Sequence, residues 1–185
     1  ILMQSIINSE ELVSKAVYGF FRAQSKNEKV ELIEEGISFN FPRQLIDKGS
    51  QPNYCLADYI SPNGDDYIGI FAVTAGHGIS EIIKRYQTIN DDYNEIMTKV
   101  LADRFAEAGT EWLHEKVRKT YWGYSKEENL GLRGILNEKY DGIRPAPGYP
   151  ACPDHTEKDK IWKLLKVNER VGISLTESKA MLPAA

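Results

Sequence analysis

Apolar positions along the chain fall into periodic runs, separated by polar, glycine or proline breaks. Ser9-Glu10-Glu11 reads as a helix start, a hydroxyl N-cap followed by acids in the first turn. Leu12, Val13, Ala16, Val17, Phe20 and Phe21 keep helical spacing after it, so a first helix with one buried face is expected, giving way near 24–27. Two short runs follow, 29–33 and 37–41. Ile37, Phe39 and Phe41 alternate with Ser38 and Asn40, the pattern of a half-buried strand. Glu34-Glu35-Gly36 between the runs predicts a hairpin turn with Gly36 in the left-handed region. Residues 42–53 form a polar linker. Runs 56–60 and 67–74 read as an antiparallel pair around the turn Pro62-Asn63-Gly64-Asp65, the second apolar enough to be central. Asp58 would be an edge residue or satisfied by the linker.

Ala75-Gly76-His77-Gly78 ends that strand, and a lone histidine between glycines reads as a turn residue. Ile79, Ile82, Ile83 and Tyr86 mark a short helix. Asp91-Asp92 would cap the longest element, a helix over 92–120. Its stripe is Met97, Leu101, Phe105, Ala108 and Trp112, flanked by Ile96, Val100, Leu113 and Val117. At ~1.5 Å per residue it runs about 40 Å. Ser125-x-x-Glu128 has the form of a capping box for a helix bearing Leu132, Ile135, Leu136 and Tyr140 and ending at Asp141-Gly142. Asp154 or Thr156 would cap a further helix with Ile161, Trp162, Leu164 and Leu165 on its buried face. Val171, Ile173 and Leu175 alternate as a last strand. The fold class is α/β of the α+β type, a single domain over 1–185 whose mainly antiparallel twisted sheet packs against long helices.

Composition adds bounds. The 185 residues, 42% hydrophobic and 27% charged, suffice for a core, and a net charge of −4 argues against a nucleic-acid partner. No apolar run approaches the roughly 20 residues of a membrane span, so no membrane association is expected. The two cysteines, Cys55 and Cys152, lie far apart and fit free thiols in a reducing, cytoplasmic setting.

The densest chemistry lies in residues 144–156, RPAPGYPACPDHT, which hold four of the eight prolines. Proline fixes its own φ and pushes its predecessor toward extended backbone, so this stretch is a stiff loop and neither a helix nor a central strand. Arg144 offers a planar fork, Gly148 close backbone approach and Tyr149 a ring, the groups of a small-molecule site. A surface connector is the structural alternative. The loop leads into a helix N-terminus, where free N–H groups suit an anion. Asp103, Glu107 and Glu111 are spaced i, i+4, i+8 on one helix, near His114. A metal reading competes there with an ordinary wetted face, since Lys99, Arg104, Lys116 and Arg118 are near, and no metal is expected. Cys152-x-x-His155 is half of a zinc spacing with no second pair, so thiol and capping roles are expected instead.

The segment GIRPAPGYPACPDHTEK, residues 142–158, resembles the signature of the reactivation domain of cobalamin-dependent methionine synthase. NYCLADYISP from Asn53, DDYIGIFAVTAG from Asp65, DDYNEIM-KVLADRFAEA from Asp91, LHEKVRK-YWGY from Leu113 and LTESKAM from Leu175 are similar to the same family, in the same order. The resemblance implies an S-adenosylmethionine-binding module in which Arg144, Ala146 and Tyr149 belong to the ligand loop. Glu138 and Glu107 are acids near the ligand, and Asp103 faces the cobalamin module. It further implies a repair reaction: cob(II)alamin, reduced by an electron from a flavodoxin-type donor, is methylated by the S-adenosylmethionine held here. Cobalamin and zinc would sit in other modules of the methyltransferase, and no residue here would be catalytic. The family pattern departs at both ends. Its Asp-Trp-Thr-Pro-Phe-Phe segment has no counterpart, and Leu182 stands where a Trp precedes the proline. The domain is therefore expected to be incomplete at both ends, with weak or no S-adenosylmethionine binding by this stretch alone. The alternative function is a noncatalytic interaction domain of the same fold.

Overall fold

The computed structural model describes residues 2–50 and 52–183. Its elements run α1 (Leu2–Ser9), β1 (Val13–Lys26), β2 (Lys29–Leu32), β3 (Ile37–Asn40), a 3-10 turn (Leu56–Tyr59), β4 (Asp66–His77), α2 (Ile79–Thr88), α3 (Asp92–Lys116), a π-turn (Val117–Tyr121), α4 (Leu132–Leu136), α5 (Glu157–Leu165), α6 (Val167–Val171), β5 (Ser174–Leu175) and β6 (Met181–Leu182). The main sheet is antiparallel with order β3-β2-β1-β4, and β5 and β6 form a separate hairpin. This is the mixed helix-and-strand class expected.

The first helix is displaced. Ser9 closes α1 instead of opening a helix: its hydroxyl donates to the Ile6 carbonyl at 3.0 Å, and Glu10 turns the chain with φ 54. The segment 13–26 is then a strand of 14 residues. Its Val, Tyr and Phe side chains favour a pleated surface, and Gly19 disfavours a helix interior by about 1 kcal/mol. Gly19 also makes room: a Cβ there would lie 2.7 Å from Phe21 Cζ and 3.3 Å from Leu165 Cδ2.

The β2–β3 hairpin matches expectation, with Val30 opposite Phe39 and Gly36 at φ 63. Residues 56–60 do not pair with β4. They coil into the 3-10 turn, and β4 lies beside β1 at the outer position of the sheet. Asp58 is satisfied by the linker, because Arg43 grips it with Nη1–Oδ2 2.8 Å and Nη2–Oδ1 2.6 Å. Both cysteines are free and buried.

Asp91 caps α3 by accepting from the Asn94 N–H at 3.0 Å. The buried face of α3 is Thr98, Ala102, Ala106, Leu113 and His114, whereas Ile96, Val100 and Trp112 are exposed. The expected apolar stripe is thus rotated. Small side chains line the true contact and allow close approach, as where a Cβ on Gly109 would meet Val73 Cγ1 at 3.4 Å. Near the end of the chain, Val171 belongs to α6 and Ile173 to the irregular link after it, so only Leu175 of the expected last strand lies in a strand.

The chain divides into two compact units. One comprises 1–17, 72–140 and 168–185; the other comprises 18–71 and 141–167. Within the first, the buried side chains of Ile82, Ala102, Ala106 and Leu113 form a helical core, and His77 Nε2 meets the Val171 carbonyl at 2.6 Å. Within the second, Val30, Leu32, Phe39, Cys55 and Leu165 are buried, and α5 is tied to β3 by Lys160, which donates to the Ser38 carbonyl at 2.8 Å. Among the described residues no helix is long and apolar enough to cross a membrane.

Candidate functional site

The Pro-rich stretch is a loop, as its prolines require, and it lies wholly in the second unit. It is not slack. Gly148 N–H donates to the Cys152 carbonyl (2.9 Å), Tyr149 N–H to Ala146 (3.0 Å) and Cys152 N–H to Tyr149 (2.9 Å). The Leu56 N–H donates to the Ala151 carbonyl at 2.9 Å, so the turn is moored to the 3-10 segment. Cys152 is 2% exposed, and its thiol donates to the Ala146 carbonyl at 2.8 Å. Burial pushes that thiol up to about 11. Gly148 has φ 109, and a Cβ there would fall 2.3 Å from His155 Cε1, so the imidazole occupies the space a side chain would need. The loop ends in an Asx turn: Asp154 Oδ1 accepts from the Thr156 N–H (2.8 Å) and hydroxyl (2.7 Å). These bonds, the side-chain one foremost, hold the Asp154 carboxyl below its ordinary range. Thr156 stands at the N-cap of α5 without a side-chain bond to the helix.

Arg144 is half-buried at the head of this loop; Ala146 and Tyr149 are exposed, the Tyr149 ring at 63%. Ala146 and Tyr149 therefore sit on one braced turn, and Arg144 stands two residues before it. The Ala146 N–H takes no part in the turn's internal bonds, while its carbonyl accepts two.

The acidic candidates belong to the first unit. Asp103 and Glu107 are exposed on α3, and Glu107 accepts from Arg104 Nη1 at 2.6 Å. On the shared face expected from i, i+4 spacing, Glu107 turns to its neighbouring arginine and Glu111 is half-buried. Among the described residues no group of three His, Cys, Asp or Glu is placed to hold a metal ion. Glu138 is not helical, because α4 stops at Leu136. It adopts φ 51, with its N–H donating to the Ile135 carbonyl at 2.9 Å, and its side chain is exposed.

One constellation escaped the pattern reading. Arg118, fully buried in the π-turn, donates Nε to Glu128 Oε2 (2.7 Å) and Nη2 to Oε1 (2.6 Å). Its Nη1 lies 2.7 Å from His114 Nδ1, and its guanidinium is 4.3 Å from the centre of the Tyr140 ring. The Ser125-x-x-Glu128 pattern is therefore not a capping box. Glu128 is committed to Arg118, and α4 begins at Leu132 behind Gly131. The only signal in sequence was an arginine next to Val117 on the apolar side of a helix end.

A family model described as "Vitamin B12 dependent methionine synthase, activation domain" matches residues 1–185. Among solved structures, the chain is similar to the MetH reactivation domain bound to AdoHcy. The identity is 44% and the TM-score 0.90, over 98% of this chain and 59% of that one.

Proposed function

The chain belongs to the activation-domain family of vitamin B12 dependent methionine synthases, and from that premise we propose that it binds S-adenosylmethionine and presents its methyl group for reductive methylation of cobalamin held by another module. The observation that carries this reading is the braced turn bearing Ala146 and Tyr149, with Arg144 just before it, in a chain 44% identical to an AdoHcy-bound domain.

The residues present fit the ligand. The Arg144 fork would suit the amino-acid carboxylate, which a guanidinium can hold by two parallel hydrogen bonds. The Ala146 N–H, outside the turn's internal bonding, suits an adenine acceptor, and the exposed Tyr149 ring offers it a flat apolar face. Glu138 and Glu107 would supply negative charge toward the ammonium and sulfonium groups, and Asp103 would face the cobalamin module. When bound, S-adenosylmethionine supplies the activated methyl group. The chain's own work is positioning, with no nucleophile or general base. A flavodoxin-type donor would supply the electron, and the module would act as one component of a methyltransferase. The noncatalytic alternative is disfavoured because the loop residues it could dispense with are all in place.

The test is a titration with S-adenosylmethionine followed by amide NMR shifts, which registers weak and tight binding alike, beside Arg144→Ala. Shifts centred on 144–152 that vanish in the variant support the reading. Binding unchanged by the variant removes Arg144 from the site, and absence of binding by the parent protein removes the ligand.

A further inference from the structure

The motif Cys152-Pro153-Asp154-His155 belongs to no metal-holding group among the described residues and has no role in the reading above, yet both of its reactive side chains are spent on the turn. The Cys152 thiol is buried and donates to the Ala146 carbonyl at 2.8 Å. That carbonyl already accepts from the Tyr149 N–H at 3.0 Å. Two donors on one oxygen fix the rotation of the peptide to which it belongs, and with it the path of the backbone between Ala146 and Pro147. The His155 ring works at the other side of the turn. It fills the space over Gly148, where a Cβ would sit 2.3 Å from Cε1 and 2.7 Å from Nε2. Only glycine accepts both that neighbour and a φ of 109. The turn between the two contacts carries the Tyr149 ring outward.

We propose that Cys152 and His155 are positioning residues of the ligand loop, the thiol orienting the Ala146–Pro147 peptide and the imidazole fixing the backbone at Gly148, so that Ala146 and Tyr149 meet the ligand already arranged beside Arg144. The inference rests on the S-adenosylmethionine reading. It also explains why a thiol serves well at 152: held at about 11, it stays protonated and donating throughout the neutral range. A preformed turn loses less conformational freedom on binding, so the effect of loosening it appears in affinity.

The experiment compares the parent protein with Cys152→Ala, Cys152→Ser and His155→Ala. Amide exchange of Tyr149 is measured without ligand, and affinity for S-adenosylmethionine by NMR titration. Cys152→Ala is expected to weaken binding about tenfold and to speed Tyr149 exchange by a similar factor. Cys152→Ser, which keeps a donor, returns both to within about threefold. His155 is exposed, so its removal leaves the fold intact while weakening binding about threefold. An alanine variant at 152 that binds like the parent, with Tyr149 equally protected, overturns the inference and leaves the ligand reading standing. Equal losses in the serine and alanine variants overturn it as well, since they would mean that packing and not donation is at work. No binding by the parent protein removes the ligand reading and this inference together.

Discussion

Arg118 and Glu128 form a two-pronged ion pair across ten residues of sequence, with guanidinium and carboxylate both shut away from solvent. His114 and the Tyr140 ring close the remaining sides. Removing one partner leaves the other charge buried and uncompensated, which costs about 3 kcal/mol or more. Glu128→Ala is therefore expected to lower unfolding stability by about that amount, measured by urea denaturation.

The same pair predicts acid sensitivity. Hydrogen bonds from Arg118 hold the Glu128 carboxyl below its ordinary range, against the opposing effect of burial. A carboxyl depressed in the folded state contributes stability that is full above its unfolded value, about 4.3, and lost as pH falls through the folded one. Thermal midpoints taken from pH 6 downward should fall more steeply for the parent protein than for Glu128→Gln. Parallel curves would show that the pair does not titrate with unfolding.

The Arg43–Asp58 pair offers the contrast. It has similar geometry, but its side chains are 33% and 45% exposed. Solvent screening leaves such a pair little net effect on stability. Asp58→Asn should leave global stability almost unchanged while quickening amide exchange in the linker 42–53, which Arg43 also holds through the Asn53 carbonyl.

Two glycines separate strain from collision. Gly36 has φ 63 and open space around it, so Gly36→Ala should cost about 1 kcal/mol, the penalty of a left-handed Cβ alone. Gly78 has φ 89, and its Cβ would fall 2.0 Å from the Glu11 carbonyl oxygen. Gly78→Ala should cost several times as much, roughly 3 kcal/mol or more, because backbone must move. Denaturant midpoints of the two variants test the ordering.

At the loop, Tyr149→Ala should weaken S-adenosylmethionine binding by about tenfold, the value of one ring contact. The ring is 63% exposed, so stability should stay within about 0.5 kcal/mol of the parent protein. Calorimetry and a thermal melt on the same samples check both halves.

The elements legible in the sequence were those announced by local chemistry. Gly36 marked its hairpin, Asp91 its helix, and the prolines from 145 to 153 their loop. What failed were two cap signals, Ser9 and Ser125-x-x-Glu128, and several inferences from periodicity. Val13, Val17 and Phe21 satisfy a period of four as well as a period of two, and only β-propensity with Gly19 decides for the strand. On α3 the large apolar residues suggested one face, but close packing selected Ala102 and Ala106. At the loop, Arg144, Ala146 and Tyr149 were named by family resemblance; the structure puts Ala146 and Tyr149 on one turn, with Arg144 two residues before it. Glu138 was misread as helical because nothing local signals its left-handed backbone. The thiol bond to Ala146 could not be read at all, since it depends on where a loop folds back on itself.

The two long strands carry a consequence for modularity. The boundary between the compact units falls inside β1, between 17 and 18, and again inside β4, between 71 and 72. The chain changes unit twice more, after 140 and after 167. Neither unit is a continuous stretch of polypeptide, so no single crossover between related genes could exchange one of them whole. A cut at the first or second boundary would fall inside a strand. Each unit is therefore closed only when two or more separate stretches of the chain have come together, so neither could be excised as a continuous segment.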